Sequence, residues 1–318
     1  MSDVQPIVIG NSVLFIEGSG KVIRDLTYDF EIDGYRGNSM VVFAEDLFDG
    51  YTVTDWAYQQ DPYSIIWAIR EDGKLLGFTY NREHNVFAWH LHETDGDFES
   101  IASISTDEGK DEVYVVVERT VDGSTVRYIE LMKERLPYDS DFNRDITEAW
   151  FVDSGLAYDG TAATTISGLD HLEGELVSIL ADGNVVNQQT VSSGAIVLSI
   201  AAEKVKVGLP YTSYMETLDF VGALQGDTTQ DKLKDVKSVV VSLEETRALW
   251  FGPSSDRLVE VAFRENEDYG DPTNLFNGDK EIFLEAGATR ESRAYIRNTD
   301  PLPLTITALL PRLEYGES

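Results

Sequence analysis

The strongest constraint on the fold is a period of two. Ser12–Glu17, Val22–Phe30, Ser64–Arg70, Lys74–Tyr80, Val86–His92, Glu112–Arg119 and Thr125–Leu131 are short runs rich in β-branched and aromatic residues. Successive strand side chains point to opposite faces, so these runs predict short antiparallel strands rather than helices. Gly, Asp and Asn separate them. Asp72-Gly73 and Asp122-Gly123 read as hairpin turns, because these residues tolerate the positive φ that tight turns demand. Gly18-Ser19-Gly20 fills the same place in the first run.

The hairpins repeat. Units beginning at Ser12, Ser64 and Glu112 are spaced by 52 and 48 residues. A strand repeat with a period near 50 is what propeller blades show, and unrelated hairpins in a β-sandwich are the alternative. A closed propeller needs at least about four blades, and no more than three units fit before residue 136. The first region, 1–136, is therefore expected to be a partial propeller-like module. Within it, Met40–Phe48 has apolar residues at 40, 43, 44, 47 and 48 and reads as a short helix, with Ser39 and Gly50 at its ends. Residues 137–149 are charged and read as a linker. Residues 150–318 return to short strands: Trp150–Tyr158, Glu175–Leu180, Val185–Val191, Ala195–Ile200, Lys204–Val207, Val236–Leu243, Leu258–Arg264, Lys280–Leu284, Ala294–Asn298 and Leu304–Leu310. They predict a β-barrel or sandwich, with a short helix at Thr228–Leu233 and a polar loop at Glu265–Asp279. The fold class is thus all-β in two regions.

Charge narrows the function. The chain of 318 residues carries 57 acids and 25 bases, a net −32. Residues 1–136 hold 26 acids against 11 bases, and residues 137–318 hold 31 against 14. The acidity is spread along the chain and is not a tail. Such a surface repels phosphate backbones and anionic headgroups, which disfavours nucleic-acid binding by a basic patch. It suits either solubility in a salty setting or a wall past which DNA slides. Cysteine is absent, so no disulfide, thiolate nucleophile or cysteine zinc site is available. The amino terminus shows no basic and apolar signal pattern, and no apolar run approaches the ~20 residues that span a bilayer. A chain that is soluble when made is expected, without membrane partners.

Motifs for chemistry are weak. His90 and His92, two apart on one strand, could grip a metal from one face. His84 and His171 stand at no matching spacing, and the pair is better read as a decorated strand surface. Asp139–Asp145 is Asp-rich but lacks the Gly and terminal Glu of a calcium loop. No nucleophile elbow, dinucleotide fingerprint or phosphate loop occurs. Carboxylates are abundant, yet no pair is marked for glycoside hydrolysis. No catalytic, cofactor or metal residue is assigned, and the chain is not expected to be an enzyme. Trp56, Trp67, Trp89, Trp150 and Trp250 are read as core or subunit-interface residues.

Several segments nevertheless resemble one family. Asp55–Glu83, with its Trp56-Ala-Tyr, Asp61-Pro-Tyr and Asp72-Gly-Lys elements, is similar to a hallmark of phage tail proteins. Val86–Gly96 and Tyr128–Leu131 continue that block. Val152–Gly160, Ile166–Gly174, Val207–Tyr211, Phe276–Lys280 and Asp300–Leu304 resemble the later region of the same family. It is the tail nozzle, or tail tubular protein B-like, family of short-tailed phages. The resemblance implies a hexameric tube below the tail adaptor, a propeller-like module joined to β-barrels, and passage of DNA during ejection without specific binding. Adaptor and fibre or needle proteins would be its partners, and its place would be the virion, after assembly in the host cytoplasm. Relatives with these motifs usually carry a long additional amino-terminal region, whereas here the match starts almost at Met1. That points to a minimal nozzle or one product of a split gene. The loop Glu265–Asp279 is the candidate constriction. A receptor- or carbohydrate-binding tail module and a virion-associated glycanase are the alternatives.

Overall fold

A computed structural model describes residues 4–315, apart from 108, 140, 222, 225, 226, 229–231, 269, 285 and 286. Among the described residues all regular structure is β-strand, with three single 3-10 turns. The chain forms two compact units, Met1–Lys133 and Glu134–Ser318.

In the first unit the repeat becomes sheet architecture. Strands β1 (Ile7–Ile9), β2 (Ser12–Ile16), β3 (Ile23–Asp29) and β4 (Gly34–Ser39) pair in chain order as one antiparallel sheet. Strands β5 (Val53–Gln59), β6 (Ile65–Arg70), β7 (Leu75–Asn81) and β8 (Val86–His92) form the second in the same way. Strands β9 (Asp97–Ser105), β10 (Asp111–Val121) and β11 (Ser124–Met132) form a third, three-stranded meander. Each ~50-residue repeat is therefore one meander, and the repeated hairpin is its second and third strands.

The turns follow the residues placed in them. Asp122 and Gly123 have φ of 46° and 72°, so both take the left-handed conformation that a two-residue hairpin needs. At Asp72-Gly73 only the glycine is left-handed, at 74°. There the Arg70 carbonyl accepts from the Gly73 N–H at 3.0 Å, while the Arg70 N–H donates to the Lys74 carbonyl at 2.9 Å. That is a three-residue loop closed by a glycine.

The second sheet explains why β6 reads as the unbroken run Ile-Ile-Trp-Ala-Ile. Every residue of β6 is buried. Ile66 and Ala68 pack with Leu14, Ile16 and Ile23 of the first sheet and with Leu76 and Phe78. Ile65, Trp67 and Ile69 pack on the opposite face with Ile101, Val113, Val115 and Val117 of the third sheet. A strand covered on both faces has no polar side to alternate with. Each fully buried large side chain here contributes about 1.5–3 kcal/mol of transfer free energy.

Met40–Phe48 does not form the expected helix. It makes successive three-residue turns, Ala44 N–H to the Val41 carbonyl and Leu47 N–H to the Ala44 carbonyl, with one 3-10 turn at Glu45–Leu47. The burial does not follow the helical spacing: Met40, Leu47 and Phe48 pack in or against the first core, but so does Val41, off the spacing, while Phe43, on it, is exposed. Nine residues are also too few to hold a helix without a shared buried face.

Among the described residues the second unit contains four further sheets. Strands β12 (Asp153–Ser167), β13 (Leu176–Ala181), β14 (Asn184–Thr190) and β15 (Ala195–Leu209) form an antiparallel sheet ordered β12-β15-β13-β14. Its core gathers Ile166, Leu169, Val177, Ile179, Val205 and Val207. Strand β16 (Ser213–Glu216) precedes a two-stranded hairpin, β17 (Ala223–Leu224) with β18 (Asp227–Thr228). Strands β19 (Lys234–Thr246), β20 (Trp250–Gly252), β21 (Val259–Glu260), β22 (Phe276–Phe283), β23 (Tyr295–Asn298) and β24 (Ile306–Tyr315) follow. They divide into sheets ordered β22-β19-β24 and β16-β23-β20-β21, which share a core of Val239, Val241, Leu249, Phe251 and Ile296. None of these sheets closes on itself among the described residues.

Three expectations for this half change. Ala195–Ile200 and Lys204–Val207 are one strand, because between them Ala202 is buried in the core while Ala201 and Glu203 face outward, as strand alternation requires. Leu258–Arg264 pairs only at Val259–Glu260; beyond it Phe263 is buried as a core plug instead of continuing a ladder. In the expected helix Thr228–Leu233, Thr228 pairs in β18 and residues 229–231 lie outside the described residues. The segment 137–149 is folded into the second unit. Ala149 is fully buried with Leu180, Ala248 and Leu302, against Ile146 and Leu136.

Candidate functional site

Each residue singled out by the sequence has a definite setting. His90 and His92 do share a strand face, with ring centroids 4.9 Å apart, but both rings lie edge-on to Trp67. His90 also covers Gly77, its partner on β7. A Cβ at Gly77 would fall 2.1 Å from His90 Nε2, so the glycine is what lets the imidazole lie flat there. The pair is packed as aromatic surface. His171 Nε2 meets the Ser154 carbonyl at 2.9 Å, and the backbone N–H of His84 donates to Asn81 Oδ1 at 3.1 Å. Among the described residues no group of three or more His, Cys, Asp or Glu is placed to hold a metal ion.

Asp139 Oδ1 accepts the backbone N–H groups of Asp141 and Asn143, each at 2.8 Å. Asp145 Oδ1 accepts Thr147 N–H at 2.9 Å and the Thr147 hydroxyl at 2.7 Å. These carboxylates organise their own turns. Arg144 stacks 3.6 Å above the Tyr138 ring and bonds Glu245 at 2.9 Å. Three of the tryptophans serve the cores: Trp56 Nε1 donates to the Gln5 carbonyl at 2.6 Å, Trp67 Nε1 to Gln59 at 3.1 Å, and Trp89 Nε1 to the Met40 carbonyl at 2.7 Å, whereas Trp150 and Trp250 are half-buried beside Lys206 and Arg297.

The expected polar loop Glu265–Asp279 is loop only as far as Leu275, since Phe276–Asp279 belong to β22, and its described residues are mainly exposed. The Glu267 carboxylate accepts three backbone N–H groups: Asn274 and Glu265, each at 2.9 Å, and Asn266 at 3.1 Å. Led by the Asn274 and Glu265 N–H groups, these donors lower its pKa to about 2. Arg264 donates to the carbonyls of Asp268 at 3.1 Å and Asp271 at 2.7 Å. Asn184 Nδ2 donates to the Gly270 carbonyl at 3.0 Å, tying the loop to the β13–β14 hairpin. At that hairpin Gly183 lies under Pro272; a Cβ there would sit 3.1 Å from the proline ring. Arg247 donates to the Gly183 carbonyl at 2.6 Å. Burial first, then Arg264, brings its pKa down to about 10. These contacts tie the loop down at both of its ends and at Gly270. It borders a cleft of about 350 Å³ with Phe263 and Phe276 in its wall. A glutamate held at a pKa near 2 stays ionised at neutral pH and has no proton to transfer there.

Ion pairing is the second feature. Arg119, almost fully buried, grips both oxygens of Glu130 at 2.8 Å and also donates to Thr94. Arg127 joins Glu99 and Glu118. Lys204 and Lys206 both meet Glu148. Arg293 is shared by Glu216 and Asp219. Much of the small cationic complement is thus neutralised by neighbouring carboxylates, and the surplus of acids faces outward.

Two apolar features were missed by sequence reading. At the β3–β4 turn, Tyr28, Phe30, Ile32 and Tyr35 are exposed, Phe30 by 88%. Between β16 and β24 an apolar cleft of about 510 Å³ is lined by Met215, Ile296, Leu304, Ile306 and Leu309 among others. The first had a signal: Tyr-Asp-Phe-Glu-Ile-Asp alternates apolar and acidic residues from 28 to 33. The second is assembled from segments some 80 residues apart and carries none. Compared with models of known families and with curated proteins, the chain has no match.

Proposed function

We propose that the chain is a structural subunit of a short phage tail, acting as a nozzle through which DNA leaves the virion, and that it does no chemistry of its own. The observation that carries this reading is electrostatic. A net charge of −32 persists in a chain whose arginines and lysines are largely engaged by carboxylates. Phosphate adhesion requires accessible cations, and a wall of this kind offers few. A duplex would pass it without being held.

The fold supports the same reading at the level of architecture. Three successive meanders stacked face to face are what a partial propeller module needs, and the open sheets of the second unit suit a barrel platform completed by neighbours. The motifs around Trp56–Asn81 and Val152–Gly160 supply the family resemblance. On this reading six copies form the tube. Its partners are the tail adaptor and the fibre or needle proteins. The pinned loop Glu265–Asp279 is a firm acidic lip at the bore rather than a floppy gate.

The test pairs native mass spectrometry with a DNA gel shift. Ring-sized assemblies, with no retardation of duplex DNA at low salt, are the expected result. Tight DNA binding, or a monomer at every concentration, would overturn the proposal.

A further inference from the structure

We propose that the loop 265–275 is a strap that opens as one unit and in doing so uncovers Arg247, a buried cation that no carboxylate touches. This goes beyond the nozzle reading and does not depend on it.

Arg247 has an unusual setting for a basic residue of this chain. It lies between β19 and β20 and is 9% exposed. Among the described residues its guanidinium makes one hydrogen bond, to the Gly183 carbonyl at 2.6 Å. Its Nε is buried with no partner. The opposing charge that acts on it is Glu267, across space and without a hydrogen bond between them, while Arg264 repels it. Both Glu267 oxygens are already taken by backbone N–H groups. A guanidinium held this way has given up water for one carbonyl, and burying a charge without a paired partner is unfavourable.

The strap lies over the same hairpin tip. Pro272 rests on Gly183, where a Cβ would sit 3.1 Å from the proline ring, and Asn184 donates to the Gly270 carbonyl at 3.0 Å. Gly183 is thus gripped by Arg247 at its carbonyl and covered by the strap at its Cα.

One residue fastens both ends of the strap. The Glu267 carboxylate accepts the N–H groups of Glu265 and Asn266 at the start and of Asn274 at the end. Loss of that carboxylate's grip frees the two ends together, which makes opening cooperative. Opening sacrifices little apolar burial, because no described residue from 265 to 275 is buried. Few buried contacts and solvent-facing backbone bonds are the marks of a segment that opens ahead of the fold around it. It also releases Arg264, whose acceptors are the Asp268 and Asp271 carbonyls within the strap. Closed, this edge of the molecule presents carboxylates. Open, it presents two guanidinium groups that regain water.

The test follows the full chain at neutral pH by native-state hydrogen exchange and by phenylglyoxal, which modifies accessible arginines. The amides of Glu265, Asn266 and Asn274 are expected to exchange through one common opening. Glu267→Gln should speed their exchange and the modification of Arg247 by the same several-fold factor, because a charge-assisted acceptor is replaced by a neutral one. Arg36, exposed on β4, should react at an unchanged rate, and the Ile179 amide in the core should keep its protection. Asn184→Ala removes only the Gly270 tether and should move both readouts together by a smaller factor. Unrelated exchange rates at the two ends would mean fraying and overturn the proposal. Faster amide exchange with Arg247 no more reactive would mean that the strap is not its cover, and amides unmoved by Glu267→Gln would mean that Glu267 is not the fastener; either overturns it too.

Discussion

Glu267 shows how one residue can hold a loop that sequence reading leaves as polar filler. Its two oxygens satisfy three N–H groups on both sides of the turn, and the reward for that geometry is a pKa near 2 instead of 4.5. The sign follows from linkage: a carboxyl whose folded pKa is depressed stabilises the folded loop above its unfolded pKa. That contribution fades as pH falls from about 4.5 towards 2. We expect the bonds between residues 264 and 275 to resist acid protease at pH 4.5 and to be cut progressively faster towards pH 2. Glu267→Gln, which keeps an acceptor but loses the charge, should show several-fold faster cleavage already at neutral pH with a neutral-active protease. Equal cleavage rates for the two chains would show that the carboxylate is not what orders the loop.

At the scale of elements, the central strand β6 is expected to weigh most on the stability of the first unit, because all of its residues are buried and they feed both cores. Ile66→Ala removes a fully buried side chain and is expected to cost about 2–5 kcal/mol in urea unfolding. Ile129→Ala, on the exposed side of β11, should stay within about 0.5 kcal/mol of the parent. A similar midpoint for both would contradict the packing described. The hairpins of this unit were legible in the sequence because each turn carries residues that tolerate its φ and each strand a period-two pattern. The outer strands β1, β4 and β9 were not, since they are short, polar or exposed and owe their pairing to the strand beside them. The 3-10 turn at Glu45–Leu47 was misread for the opposite reason: helical spacing was present, but Phe43, at one of the spaced positions, is fully exposed. In the candidate site, the loop could be located from its Gly, Pro and Asn content. Its pinning by Asn184 and Gly183 could not, because those contacts cross some 80 residues of chain.

For the whole molecule, the proposed function makes charge the quantity that decides both what the protein avoids and whether copies can meet. Repulsion between acidic surfaces weakens as salt shortens its range, from about 10 Å at 0.1 M to about 3 Å at 1 M. Assembly should therefore strengthen with sodium chloride, the reverse of what basic-to-acidic association would give, and light scattering across a salt series would read it. Salt-induced dissociation would mean that ion pairs, not apolar contacts, hold any assembly together. The architecture leaves room for this: among the described residues the sheets of the second unit are open, and the chain carries an exposed apolar hairpin and an apolar cleft. The most direct test of the account is a density map of the assembled tail with this chain fitted into it. The account expects six copies around a continuous channel wide enough for duplex DNA, with carboxylates facing the bore. Copies found singly at the tail periphery, or a bore lined by arginine and lysine, would contradict it.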